Sequence, residues 1–158
     1  MRTQIGIVGA GPAGLMLSHL LHLEGIESVI LENRSRDYIE GRIRAGLIEH
    51  WARELLIETG AGERLQRESL FHDGLHFCFA GALHHVDFRK LVGKGVTVYG
   101  QQEVIKDLVA RRLSDGGQII FEAGDVSVHD IAGKSPTIHF NHAGKAQELV
   151  CDFIGGCD

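Results

Sequence analysis

The feature that most constrains this chain is Gly9-Ala10-Gly11-Pro12-Ala13-Gly14, a G-x-G-x-x-G set between two apolar runs of different period. Before it, Gln4-Ile5-Gly6-Ile7-Val8 is short, rich in β-branched residues and bounded by glycine, as expected of a strand buried on both faces of a parallel sheet. After it, Leu15, Met16, Leu17, Leu20, Leu21 and Leu23 recur at helical spacing, so Ala13–Leu23 is predicted to be a buried helix starting at the glycine turn. Gly9 allows the tight turn, Gly11 lets a pyrophosphate approach the backbone, and Gly14 brings helix and strand close together. Pro12 suits the first helical turn, where an amide hydrogen would have no intrahelical partner. The start of such a helix attracts anions.

Gly25 ends the helix, Ser28–Leu31 supplies a second strand, and Glu32 follows, eighteen residues beyond Gly14. That is close to the offset of about 20 at which a dinucleotide fold places its ribose-binding acid. A carboxylate there accepts hydrogen bonds from both ribose hydroxyls of an adenosine and repels a 2′-phosphate. FAD or NAD is therefore the expected nucleotide at this turn, and NADP is not.

A chain of 158 residues supports one good core, and one domain is the default. Its 21 glycines, about twice the usual share, fall at turns rather than in a low-complexity tract, which fits an α/β domain with tight connections. The net charge of −5 gives no basic field for nucleic acid or an anionic membrane. No apolar run reaches bilayer-spanning length, and the N-terminus opens on a strand without a signal-peptide pattern, so a cytoplasmic location is expected. Cys78, Cys151 and Cys157 form no C-x-x-C and are expected to be small reduced core residues. Ten histidines show no zinc-ligand spacing, and His84-His85 should point to opposite faces of a strand, so no metal site is expected.

Beyond Glu32, Asn33–Arg44 reads as a polar connection carrying Arg34, Arg36, Arg42 and Arg44. Its guanidinium groups are suited to bidentate phosphate contacts. Ile48–Ile57 has helical spacing, and a short helix is expected around Glu63–Arg67. Leu70–Phe88 changes to alternation and, with a turn at Gly81-Ala82, predicts a β-hairpin that belongs to a second, partly antiparallel sheet. Val96–Tyr99 is predicted as a further strand of the α/β series. Gln101–Leu113 follows as a helix, which puts Gln101 at the ligand-binding end of that strand. Ile119–Phe121, Val126–Ile131, Thr137–Phe140 and Gln147–Cys151 read as a final parallel strand plus a meander, and Phe153 enters another strand.

Together, the glycine turn, Glu32, Asp37-Tyr38, Gly41-Arg42-Ile43-Arg44-Ala45-Gly46, Val98-Tyr99-Gly100-Gln101 and Gly156-Cys157-Asp158 resemble the flavoprotein aromatic hydroxylases from Thr3 to Asp158. The arginine and tyrosine-glycine-glutamine segments are the most specific part of the match. The resemblance implies an α/β fold with a Rossmann-like FAD-binding parallel sheet, a β-meander crossover and an inserted β-hairpin, about residues 70–92, belonging to a substrate domain. It also implies FAD as cofactor, NAD(P)H as co-substrate, an aromatic substrate of the 4-hydroxybenzoate class, and a homodimer.

Residue by residue, it implies that Gly9, Gly11, Pro12, Ala13, Gly14, Glu32, Arg42, Arg44, Ala45, Gly46, Leu47, Gln101 and Asp158 bind cofactor. Arg34, Tyr38 and Arg42 would form the surface that receives NAD(P)H. His72 would end a proton relay to the substrate phenol. Asn33 replaces the arginine or glutamine common beside the ribose acid, leaving NADH and NADPH both open, and Trp51 stands where a small residue is expected. Members of the family run to more than twice this length, so the resemblance covers the nucleotide-binding portion.

Overall fold

A computed structural model of the chain describes residues 1–158. In chain order the elements are β1 (Arg2–Val8), α1 (Pro12–Leu23), β2 (Ser28–Leu31), α2 (Arg36–Gly41), β3 (Leu47–Ile48), α3 (His50–Glu58), α4 (Glu63–Glu68), β4 (Leu70–His72), β5 (Gly74–Phe79) and β6 (Ala82–Asp87). There follow α5 (Phe88–Val92), β7 (Val96–Val98), α6 (Gln101–Ser114), β8 (Gln118–Ile120), β9 (Gly124–His129), β10 (Thr137–His142) and β11 (Lys145–Gly156). The chain divides into two compact units, one of Met1–Arg42 with Ile105–Asp158 and one of Ile43–Val104.

The first unit is built on a six-stranded sheet of order β8-β2-β1-β11-β10-β9. The segment β8-β2-β1-β11 is parallel, and β10 and β9 extend it antiparallel. From β1 the chain moves to one side through β2 and β8, then returns through β9 and β10 to place β11 on the other side of β1. The strand order therefore reverses at β1, and the crevice beyond the carboxyl ends of β1 and β11 is the switch point where open α/β sheets bind ligands.

The core forms as β-branched and apolar residues of sequence-distant strands meet. Val29, Leu31, Ile120, Ala123, Ile138, Phe140, Leu149 and Cys151 pack as one buried cluster. Gly6 makes this packing possible: a β-carbon there would lie 2.6 Å from Cys151 Sγ and 2.7 Å from Ile138 Cδ1. Helix α1 buries Gly14, Leu15, Ser18 and His19, a single stripe at helical spacing, whereas Leu23 is exposed.

Several expectations are corrected. Gln147–Cys151 and the run from Phe153 are one twelve-residue strand, β11, whose first half pairs with β10 and whose second half pairs with β1. Asn33–Arg44 is not simply a connection, because the Ser35 hydroxyl accepts the Tyr38 amide at 3.2 Å and starts α2. Of the cysteines, only Cys151 is buried, while Cys78 is exposed and Cys157 half-buried.

The second unit holds a three-stranded antiparallel sheet, β3-β7-β4, and the hairpin β5-β6. Val96–Val98 is thus a strand of this small sheet, contrary to the expected α/β series, because its edges are taken by β3 and β4. Leu47-Ile48 forms β3, so α3 starts at His50, two residues later than its apolar period indicated. The hairpin appears as expected, but its turn is Ala80-Gly81, with φ of 50° and 70°, and its return strand ends at Asp87, where the carboxylate accepts the Lys90 amide and caps α5. Trp51 lies on the surface of α3, 67% exposed, with its indole nitrogen donating to Glu49 at 2.7 Å. No helix is long and apolar enough to cross a membrane.

Candidate functional site

The glycine turn is assembled at the switch point. Gly9 adopts φ 103°, a conformation that favours glycine, and its amide donates to Leu31 O at 2.8 Å. A side chain at Gly9 would also strike the Cys157 carbonyl, 2.7 Å away. A β-carbon on Gly14 would collide with the Gly9 carbonyl, so this glycine sets the close packing of α1 on the turn. Gly11 is different: a β-carbon there would meet only the Cys157 carbonyl, at 3.9 Å, and the position is open on its ligand side. Gly11 caps α1 without a side-chain hydrogen bond, Pro12 follows, and no acid occupies the first turn. The amide hydrogens of that turn carry partial positive charge and are capped by no side chain of the helix itself.

Glu32, 8% exposed, closes the arrangement from β2. One carboxylate oxygen accepts the Ala10 amide at 2.8 Å and the other accepts the Arg34 amide at 2.8 Å. Its own amide donates to Ile120 O, and its carbonyl accepts the Ala123 amide, both at 2.9 Å. An ionised carboxylate has about four acceptor positions, so these two amides leave acceptor capacity unused. The sequence marked Glu32 only as the expected ribose acceptor; its hold on the turn through Ala10 appears only in the structure.

At the end of β11, the Cys157 amide donates to Val8 O at 2.8 Å, which pins Cys157-Asp158 beside the turn. Burial pushes the Cys157 thiol up from its ordinary pKa, and the Asp158 charge adds to the effect. Cys157 was not singled out from the sequence for the site. Its only signal was adjacency to Gly156 and Asp158.

Arg34, Tyr38 and Arg42 form a second group in the same unit. The Tyr38 ring has the Arg34 guanidinium carbon 5.3 Å from its centroid and that of Arg42 at 5.7 Å, so two cations flank one exposed aromatic ring. Helix α2, absent from the sequence reading, creates this group by placing Tyr38 one turn before Arg42.

In the second unit, the structure joins the two most specific segments of the resemblance. The Tyr99 amide donates to Gly46 O at 2.8 Å, and Leu47 pairs with Val98. A β-carbon at Gly46 would stand 2.7 Å from Gly100 Cα, so glycine at this position lets the backbones pass. Arg44, Ala45 and Leu47 are exposed, and Gln101 is half-buried at the first turn of α6. His72 is exposed on β4, opposite Val96.

These features fit a dinucleotide: an open glycine at a helix start, first-turn amides without a side-chain cap and a buried acid with spare acceptor capacity. The comparisons agree. A model of the FAD binding domain family matches residues 2–158. The chain is 43% identical over 159 residues to p-hydroxybenzoate hydroxylase of Acinetobacter baylyi (strain ATCC 33305 / BD413 / ADP1), covering 100% of this chain and 39% of that protein.

Among solved structures, OxyS anhydrotetracycline hydroxylase from Streptomyces rimosus is similar with a TM-score of 0.81 and 26% identity, over 100% of this chain and 32% of that one. The p-nitrophenol 4-monooxygenase PnpA from Pseudomonas putida DLL-E4 has the same fold, with a TM-score of 0.81 and 18% identity over 99% of this chain and 41% of that one. The chain thus spans 32–41% of the length of these relatives. With both its residues and its fold in agreement, the chain belongs to the FAD binding domain family of flavoprotein hydroxylases, and its cofactor is FAD.

Proposed function

We propose that the protein containing this chain is an FAD-dependent monooxygenase that converts 4-hydroxybenzoate to 3,4-dihydroxybenzoate with NAD(P)H and O₂. The observation that carries this reading is the 43% identity to p-hydroxybenzoate hydroxylase over the whole of this chain. In the balanced reaction, one oxygen atom is inserted into the ring C–H bond ortho to the phenol, and the other leaves as water as NAD(P)H and one proton are consumed and NAD(P)⁺ is released. The bound flavin supplies electron transfer from NAD(P)H and activation of O₂.

The residues of this chain have binding, positioning and proton-handling roles in that reaction. Gly9, Gly11, Pro12, Ala13 and Gly14 seat the pyrophosphate on the start of α1, Glu32 holds the adenosine ribose, and Arg44 adds a bidentate cation for phosphate. Ala45, Gly46 and Leu47, with Gln101, would border the flavin ring. Arg34, Tyr38 and Arg42 receive NAD(P)H, a role supported by the two guanidinium groups around one ring. Asp158 contacts both nucleotides. His72 passes the phenolic proton to solvent, consistent with its exposure.

In this reading, residues 1–158 are the N-terminal FAD-binding portion, residues 70–92 join the substrate-side sheet, and the full-length protein is a cytoplasmic homodimer. The test is to purify the full-length protein, release and identify its flavin, and assay 4-hydroxybenzoate with NADH and with NADPH. A yellow protein forming 3,4-dihydroxybenzoate is expected. A colourless protein that takes up NAD alone would make it a dehydrogenase. A yellow protein indifferent to 4-hydroxybenzoate would move it to another aromatic substrate or to binding without turnover.

A further inference from the structure

We propose that Arg64 is a positioning residue that holds the flavin-bordering segments Arg44–Leu47 and Tyr99–Gln101 in register; this rests on the FAD reading above. Arg64 lies on α4. Its Nη2 donates to Glu103 Oε2 at 2.6 Å and to the Glu103 carbonyl at 3.2 Å, while Nη1 lies 3.7 Å from Glu68 Oε2. The same guanidinium sits 5.6 Å from the centroid of the Tyr99 ring. Tyr99 is 5% exposed, so this cation–π contact is shielded from water and stronger than a surface one.

The contacts of Arg64 bracket Gly100. On one side, Tyr99 carries the amide that donates to Gly46 O, so a shift of its ring moves the backbone bond joining the two segments. On the other side, the Glu103 and Val104 amides donate to Gly100 O at 2.9 and 3.2 Å, which ties the first turn of α6 to the same residue. Gly46 and Gly100 pass so closely that a small displacement of one backbone displaces the other. Arg64 and Glu103 are partly buried, with side chains 30% and 25% exposed. Truncating the arginine therefore removes a partly buried, charge-assisted contact at the start of α6, close to Gln101. A planar fork meets this demand better than an ammonium group, since it donates to the carboxylate and carbonyl of Glu103 while stacking on Tyr99.

The experiment uses the full-length protein as wild type, Arg64→Ala and Arg64→Lys. Arg67→Ala is the control, since Arg67 is on the same helix but its side chain is 68% exposed, paired only on the surface with Glu68. Apoprotein is titrated with FAD, the visible spectrum of bound flavin is recorded, and amide hydrogen exchange at Tyr99 is followed without flavin. Arg64→Ala is expected to raise the FAD dissociation constant about tenfold, the scale of one lost charge-assisted hydrogen bond. It should also shift the flavin band and speed exchange at Tyr99. Arg64→Lys should fall between, and Arg67→Ala should match wild type.

Wild-type affinity and flavin spectrum in Arg64→Ala, with only a lower melting temperature, would overturn the proposal and leave Arg64 as an ordinary stabilising contact. A wild-type protein that takes up no flavin would overturn the functional reading, and the cofactor role of Arg64 with it. The two failures are thus told apart by the wild-type titration.

Discussion

The Ala10 amide donates to the Glu32 carboxylate across 2.8 Å, so the acid at the end of β2 holds the shape of the glycine turn. Under the proposed function, the adenosine and pyrophosphate subsites would be coupled through this one side chain. Replacing Glu32 by alanine leaves the Ala10 and Arg34 amides without their acceptors. Apoprotein stability is expected to fall by about 1–3 kcal/mol in urea titrations, and FAD binding should be lost. Retained stability with loss of FAD would reduce Glu32 to a ribose contact alone.

Gly11 and Gly14 should respond differently to the same substitution. Gly11→Ala introduces a β-carbon with no close neighbour in this chain, so apoprotein stability should change by less than about 1 kcal/mol. FAD affinity should drop about tenfold or more, because the methyl takes the space of the phosphate. Gly14→Ala drives its β-carbon into the Gly9 carbonyl, which is main chain and cannot swing aside, so the fold itself should lose about 1–3 kcal/mol or more. Paired thermal melts and flavin titrations separate the two effects.

Arg44 is exposed and available to phosphate. Arg44→Lys keeps the charge and loses the fork, and should weaken FAD by about 1–3 kcal/mol. An unchanged dissociation constant, measured by quenching of flavin fluorescence, would return this arginine to the solvated surface.

Asp115 gives the fold an acid-sensitive contact at the end of α6. Its carboxyl is held below the usual pKa first by the hydrogen bond from Arg111 Nε at 2.8 Å, with the charges of Arg111, His22 and His19 acting in the same direction and burial opposing them. A carboxylate whose pKa is lower folded than unfolded stabilises the protein fully above its unfolded value of about 3.9. That contribution is lost as the pH falls from there through the folded value. Urea midpoints should therefore decline below about pH 4, and Asp115→Asn should flatten that decline. An identical acid limb in the variant would assign the loss to other carboxylates.

The strand-turn-helix-strand unit that carries the glycine turn and Glu32 was legible in the sequence, because its signals are local. A β-branched run, three glycines at fixed spacing, a helical period and an acid eighteen residues on are set by chain geometry within about thirty residues of one another. The hairpin of β5 and β6 was visible for the same reason, since period-two alternation and a glycine turn are properties of adjacent residues.

Long-range pairing was decided only in three dimensions. Nothing in Val96–Val98 distinguishes a strand of the main sheet from one placed between Leu47-Ile48 and Leu70–His72, because which backbone donors meet depends on segments far away in the chain. Cys151 and Asp152 looked like the end of one strand before the start of another, yet β11 continues through them by exchanging β10 for β1 as its neighbour. The crowding that requires glycine at Gly6 and Gly46 comes from Cys151, Ile138 and Gly100, and Arg64 reaches Glu103 thirty-nine positions later. The sequence by itself determined the strand-turn-helix-acid unit and the dinucleotide it favours, because those depend on neighbours along the chain. The tertiary structure alone decided which strands share a sheet, what Glu32 holds and what braces Tyr99, because those depend on neighbours in space.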